Sequence, residues 1–128
     1  MRETTIALKG IEVQDFLPKT SDTTIKVTYV CGNTSSSFTK VIRLEKPELL
    51  TETIIKEIKQ KGKIECNETD DAIKRMQVIH FHNEDKIEEK LFTFLAKLCE
   101  KNRYLRHITN HAEYMKIFDE IKIKKIDF

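Results

Sequence analysis

Two histidines one residue apart, His80 and His82, are the sharpest chemical feature of the chain. Alternate positions of a strand point the same way, so both imidazoles can face one metal ion. His107 and His111 are the other two histidines. The four make a candidate metal site if the helix carrying the second pair docks near the strand carrying the first. An isolated HxH pair is weak evidence, because two solvated histidines at a strand end, beside Asn83, Glu84 and Asp85, look the same. Asp70-Asp71 and Glu84-Asp85 could add oxygen ligands, yet acids in turns and at helix starts are ordinarily solvated.

A second candidate is the run Lys101-Asn102-Arg103-Tyr104-Leu105-Arg106-His107. Arginine pairs well with phosphate and tyrosine stacks on a base, so Lys101, Arg103, Tyr104 and Arg106 form a candidate nucleic-acid contact. The helix expected after it carries Glu113, Asp119 and Glu120, which is unfavourable for a recognition helix among phosphates. The bland alternative is a charged loop with Tyr104 and Leu105 tucked into the core.

Nucleophilic chemistry is poorly supported. A catalytic cysteine needs a neighbouring base. Cys31 ends an apolar strand face and Cys99 lies beside an apolar helix stripe, so both read as small buried hydrophobes. Cys66 sits near Glu65 and Glu68, and nearby acids raise a thiol's pKa and reduce its reactivity. The serines at 21 and 35–37 lack a nucleophile-elbow pattern. The three glycines, Gly10, Gly32 and Gly62, are too far apart to write a phosphate-cradling loop. No catalytic residue and no cofactor is therefore expected.

Composition bounds the rest. With 128 residues the chain is one domain, and 39% hydrophobic against 34% charged residues suits a folded body. Lys+Arg is 23 and Asp+Glu 21, a formal net charge of +2, so any polyanion contact must come from a local patch. No apolar run approaches the roughly 20 residues that cross a bilayer. Three cysteines without a CxxC argue against a disulfide framework, and Met1–Ile6 lacks a leader's apolar stretch. A reducing, cytoplasmic setting is the expectation.

The elements that would carry these residues follow from periodicity. Ile6, Leu8, Ile11 and Val13 change parity between Leu8 and Ile11, which a β-bulge at Gly10 repairs, so 4–16 reads as one bent strand or two short ones. Residues 17–22 form a loop. Ile25, Val27, Tyr29 and Cys31 alternate in the cleanest strand, 24–31. A turn over 32–37 and a returning strand over 38–44 complete a hairpin with a loop longer than two residues. Pro47, the stripe Leu50, Ile54, Ile55 and Ile58, and Gly62 punctuate a helix over 47–62. The stretch 63–71 is ambiguous, with Ile64-Glu65-Cys66 a candidate short strand. Residues 75–82 read as an interior strand, with apolar residues on both faces.

Asn83 opens a helix to about 102, whose stripe is Ile87, Leu91, Phe94, Leu95 and Leu98, with Phe92 and Cys99 beside it. Asn110 and Glu113 have capping-box spacing for a third helix with a thin stripe of Ala112, Met115 and Phe118. Ile121, Ile123, Ile126 and Phe128 suggest a last edge strand laced with lysine.

The predicted fold is α+β: a single domain with a mostly antiparallel sheet of about four to five strands and three helices mainly on one side. Along the chain it divides into a β-rich part (1–46), a helix (47–62), a strand region (63–82), a helical pair (83–120) and a terminal strand or tail (121–128). A β-grasp-like hairpin, helix and strand is one specific arrangement of this kind. The functional expectation is a small, non-enzymatic interaction module working through protein–protein contacts or self-association, with Phe92 and Cys99 as candidate interface residues if the third helix leaves them uncovered. Nucleic-acid binding through 101–107 is the alternative, and metal chemistry at His80 and His82 the third.

Overall fold

The computed structural model describes residues 2–32, 34–65 and 77–128. The element order is β1 (Arg2–Leu17), β2 (Asp22–Cys31), β3 (Thr34–Arg43), α1 (Pro47–Glu65), β4 (Gln77–Phe81), α2 (Glu84–Leu105), α3 (His111–Lys122) and β5 (Lys125–Asp127). The expectations placed on Cys66, on Asp70-Asp71 and on a strand start at Arg75-Met76 lie outside the described residues. The architecture is the α+β one: a mixed, mostly antiparallel sheet in the order β3-β2-β1-β4, with β5 also on β1 and the helices covering one face.

β1 is the strand on which everything else is hung. It pairs antiparallel with β2 from Ile6 to Leu17. Its other edge takes two partners in succession: β4 runs parallel beside Arg2–Ile6, and β5 runs antiparallel beside Gly10–Glu12. The pairing of β1 with β2 slips between Leu8 and Gly10 and again between Val13 and Asp15. Each slip inserts one residue and restores parity. Ile6, Leu8, Ile11, Val13 and Phe16 therefore all reach the core and are all buried. The bulge expected at Gly10 is present, but its reason differs. Gly10 does not have a positive φ; Gly32 is the glycine that does. A Cβ at Gly10 would lie 3.2 Å from the carbonyl oxygen of Ile126, so glycine is there to let β5 come close.

The β2–β3 hairpin is tighter than its composition implied. Cys31 pairs with Thr34, which leaves two residues between the strands, Gly32 among them at φ 62°. The segment 34–37, expected as turn, is strand. Its serines are tolerated because β3 ends the strand order, with Ser35 and Ser37 exposed and only Ile42 of the strand fully buried. Tyr29 and Phe38 meet edge-on, ring centres 6.2 Å apart, to close the core beneath it.

The helices follow their stripes, with two corrections. α1 runs on through Ile64 and Glu65, so those two are helical and not strand. It buries Ile54, Ile55 and Ile58, each contributing about 1.5–3 kcal/mol by leaving water. α2 buries Ile87, Leu91, Phe94, Leu95, Leu98, Cys99, Asn102 and Leu105. α3 starts where expected: the Asn110 side chain accepts a hydrogen bond from Glu113 N at 3.0 Å. Its inward face, however, is Tyr114, Ile117, Phe118 and Ile121, whereas Met115 is 40% exposed. Those positions are spaced i, i+3, i+4, i+7, the spacing of a helical stripe, and Ile121 belongs to it, not to the last strand. Phe118 packs on Phe16 with ring centres 5.8 Å apart. The last strand shrinks to three residues, and Ile123 is 77% exposed in the connection. Among the described residues β4 pairs with β1 alone, burying Ile79 and Phe81 while His80 is exposed; it is not the interior strand its two apolar faces implied.

Thiol chemistry departs from expectation at one place. Cys31 is disulfide-bonded, while Cys99 is a free, buried thiol. Spacing rules detect local motifs such as CxxC; they are blind to a strand-end cysteine bridged to a residue that folding brings near.

A buried polar node ties the end of α2 to the sheet. Asn102 Nδ2 donates to Ser21 Oγ at 3.0 Å and to the Leu44 carbonyl at 3.2 Å. Ser21 itself is fully buried at φ 64°, and its carbonyl accepts from Leu44 N at 3.1 Å. Replacing Asn102 by Leu removes the donor to the buried Leu44 carbonyl and one of the two donors to Ser21 Oγ. We expect a loss of about 1–3 kcal/mol in unfolding free energy, read from urea denaturation, with the slope unchanged.

Candidate functional site

The residues singled out from sequence are dispersed. His80 and His82 are both exposed at the end of β4, while His107 lies in the turn after α2 and His111 opens α3, also exposed. Among the described residues no three His, Cys, Asp or Glu side chains are grouped to hold a metal ion. Cys99 is 2% exposed and Phe92 is 38% exposed, so the two do not share an open apolar surface.

The basic run at 101–107 spends much of its charge inside the chain. Lys101 pairs with Glu120 at 2.6 Å, which holds the Glu120 carboxyl below its usual range. Tyr104 OH donates to Glu113 at 2.8 Å, raising the phenol's pKa. Arg106 donates to Ser21 Oγ at the buried node. Arg103 is exposed on the last turn of α2.

The cationic surface lies elsewhere. Lys86, Lys90 and Lys97 sit on α2 at spacings of four and seven residues, within about 40° of one another around the helix, with Thr93 between them. This stripe runs about 16 Å along the axis, taking 1.5 Å per residue. Lys124 and Lys125 face it, because β5 is fixed on β1. Val13 N donates to the Lys124 carbonyl at 2.9 Å and Glu12 pairs with Lys125. The space between is an open groove of about 510 Å³ lined by these five lysines, Thr93, Phe94, Ile126 and a single acid, Glu89. None of the five lysines makes an ion pair with a carboxylate among the described residues. Lys90 is held in place instead, donating to the Asp127 carbonyl, with its ammonium 5.4 Å from the centre of the Phe128 ring.

Beside the groove lies a smaller recess of about 300 Å³, whose lining shares Lys86 and Lys90 with it. The recess is built by topology. β4 leaves the edge of β1 at Ile6 and β5 joins it at Gly10, so Ala7, Leu8 and Lys9 are left between them, at the first bulge. Leu8, Ile87 and Phe128 give this gap an apolar lining, and His82, Lys9, Lys86 and Lys90 stand around it. Bulges often mark such places because they locally end a ladder.

The stripe on α2 was readable as spacing, but lysine is usually a solvated head on a flexible stem and drew no attention. Lys124 and Lys125 could not be assigned to it without knowing which strand β5 joins. Comparison with protein-family models, with curated proteins and with solved structures finds no match.

Cys99 is unsuited to nucleophilic chemistry. Burial pushes its thiol up to about 11 from an ordinary 9.0, against the lowering influence of Arg103. The folded state therefore keeps a proton that the unfolded chain loses first. The thiol's contribution to stability is complete below pH 9 and is lost as pH rises towards 11. Urea midpoints measured over that window should fall more steeply for the native chain than for Cys99→Ala. Thiol reagents should leave Cys99 unmodified at pH 8 until urea unfolds the protein.

Proposed function

We propose that the protein is a non-enzymatic binding module whose working surface is the lysine groove between α2 and β5, and whose partner is an anionic macromolecule. One observation carries the reading. Five lysines and one glutamate share a single groove in a chain whose formal net charge is only +2. Positive charge is concentrated there and balanced elsewhere, which is the condition for a local polyanion site in a nearly neutral protein. Ammonium groups facing one another across a groove repel, and a bound anion relieves that repulsion. An acidic protein segment and a nucleic-acid backbone both meet this requirement.

The rigidity of the two walls supports the reading. α2 is anchored by a continuous buried face, and β5 by its ladder to β1. A binding site on such elements loses little order on association.

A second reading, self-association, rests on β3. This ten-residue strand pairs with β2 alone among the described residues, and Val41 on it is 61% exposed. Edge pairing between two copies is opposed by Lys40, which bonds Glu57 at 3.5 Å, and by Arg43, so we rank it second. Light scattering at micromolar concentration separates the two. The self-association reading expects a dimer, and the groove reading expects a monomer.

For the groove, the triple substitution Lys86→Gln, Lys97→Gln, Lys124→Gln should abolish retention on a polyanion column at low salt without moving the melting temperature. Wild-type binding should weaken steeply with salt, as counterion release requires. Equal retention of the triple variant would overturn the proposal.

A further inference from the structure

We infer that the partner of the groove is a single-stranded nucleic acid, with phosphates along the lysines and one unpaired base inserted in the recess beneath Phe128. The inference rests on the anionic-partner reading and adds a ligand class to it.

The groove alone asks only for negative charge; the recess asks for more. Its walls are the apolar side chains of Leu8 and Ile87 and the Phe128 ring, and Lys86 and Lys90 line both it and the groove. A ligand that fills both must carry a flat or apolar group close to a phosphate or carboxylate. Nucleotides have that composition at every residue, whereas an acidic peptide alternates it only by chance. At about 300 Å³ the recess is at the small end of ligand pockets, roughly 300–1,000 Å³, so it takes a ring system and not a whole helix or strand. Phe128 is half-buried, so its ring is both fixed and accessible. Lys90 lies over that ring, so a single residue joins the stacking wall to the phosphate track. His82 supplies a second flat, exposed group at the mouth.

Strandedness follows from the same geometry. A base in a duplex is stacked and paired, with only its edges in the grooves; it can enter a recess only when unpaired or flipped out. The α2 stripe is straight and about 16 Å long, enough for a short run of single-stranded backbone. A stacking wall beside a cationic track is the usual arrangement for binding single strands with little sequence preference. Five lysines on the track imply a salt slope no steeper than about −3.5, at about −0.7 per neutralised phosphate of a single strand.

The test is fluorescence anisotropy with four probes at low salt: a short oligothymidylate, its uracil-based RNA counterpart, an abasic oligomer of equal length, and poly-glutamate. The inference expects both base-bearing strands to bind between about fivefold and a hundredfold tighter than the abasic strand, the range one stacked base supplies. Phe128→Ala should erase that ratio, weakening the base-bearing strands more than the abasic one. Should Phe128→Ala fail to fold, photo-crosslinking a 5-bromouracil strand to the wild-type chain gives an independent answer, with adducts expected at Phe128 or His82. Equal binding of base-bearing and abasic strands, or crosslinks confined to 101–107, overturns the inference and leaves the anionic-partner reading standing. Tighter binding of poly-glutamate than of any oligonucleotide also overturns it, in favour of an acidic protein segment. Failure of all four probes to bind overturns both.

Discussion

The strand β1 must keep one apolar face on the core from Ile6 to Phe16 while accepting three partner strands. A regular strand of that length, strongly twisted, cannot keep both its face and its pairing. Two inserted residues solve the problem, and every later feature depends on them. The first bulge turns the strand where β4 has ended and β5 has not begun. Gly10, with no side chain, lets the Ile126 carbonyl close in from the other side. That close approach lets β5 lie on β1, which sets Lys124 and Lys125 opposite α2.

Local packing and surface chemistry are thus coupled through one edge. Phe16 on β1 supports Phe118 on α3, and α3 delivers the chain to β5 through the short connection at Ile123 and Lys124. The Asn102–Ser21–Leu44 node fixes the far end of α2 to the sheet. Between the node and the β1 bulge, α2 buries one face from Ile87 to Leu105 and leaves its lysine stripe exposed. Four of the five groove lysines thus stand on a helix or a strand, and Lys124 on the short connection between α3 and β5.

Much of this architecture was legible before any coordinates. The parity break at Ile6, Leu8, Ile11 and Val13 announced a bulge, and the stripe of α2 and the Asn110 cap were read at their observed places. The misreadings share a cause. Ser35, Ser36 and Ser37 have the composition of a turn, yet pairing with β2 makes them strand; tertiary context outweighed propensity. Apolar residues on both faces of 75–82, Val78 on one and Ile79 and Phe81 on the other, suggest an interior strand because alternation cannot report how many neighbours a strand has. Tyr114, Ile117 and Ile121 were passed over for Ala112 and Met115 because two stripes of different phase fit the same helix.

The candidate site was the least legible part. Histidines, cysteines and an arginine-rich run attract attention because their side chains are chemically distinctive. In the fold they lie apart, or are consumed by Glu113, Glu120 and Ser21. Lysines are common and carry no motif, so a site made of them emerges only when separate segments converge. Such convergence is a long-range fact. It depends on β5 choosing β1, which no local window encodes.

Nuclear magnetic resonance gives the most direct measurement: backbone amide shifts followed while inorganic tripolyphosphate is titrated into the isotope-labelled chain. A groove between α2 and β5 that gathers anions requires saturable shifts confined to residues 86–97 and 124–128. Shifts centred on 101–107 or on the open face of β2 and β3, or no saturable shift anywhere, would contradict it.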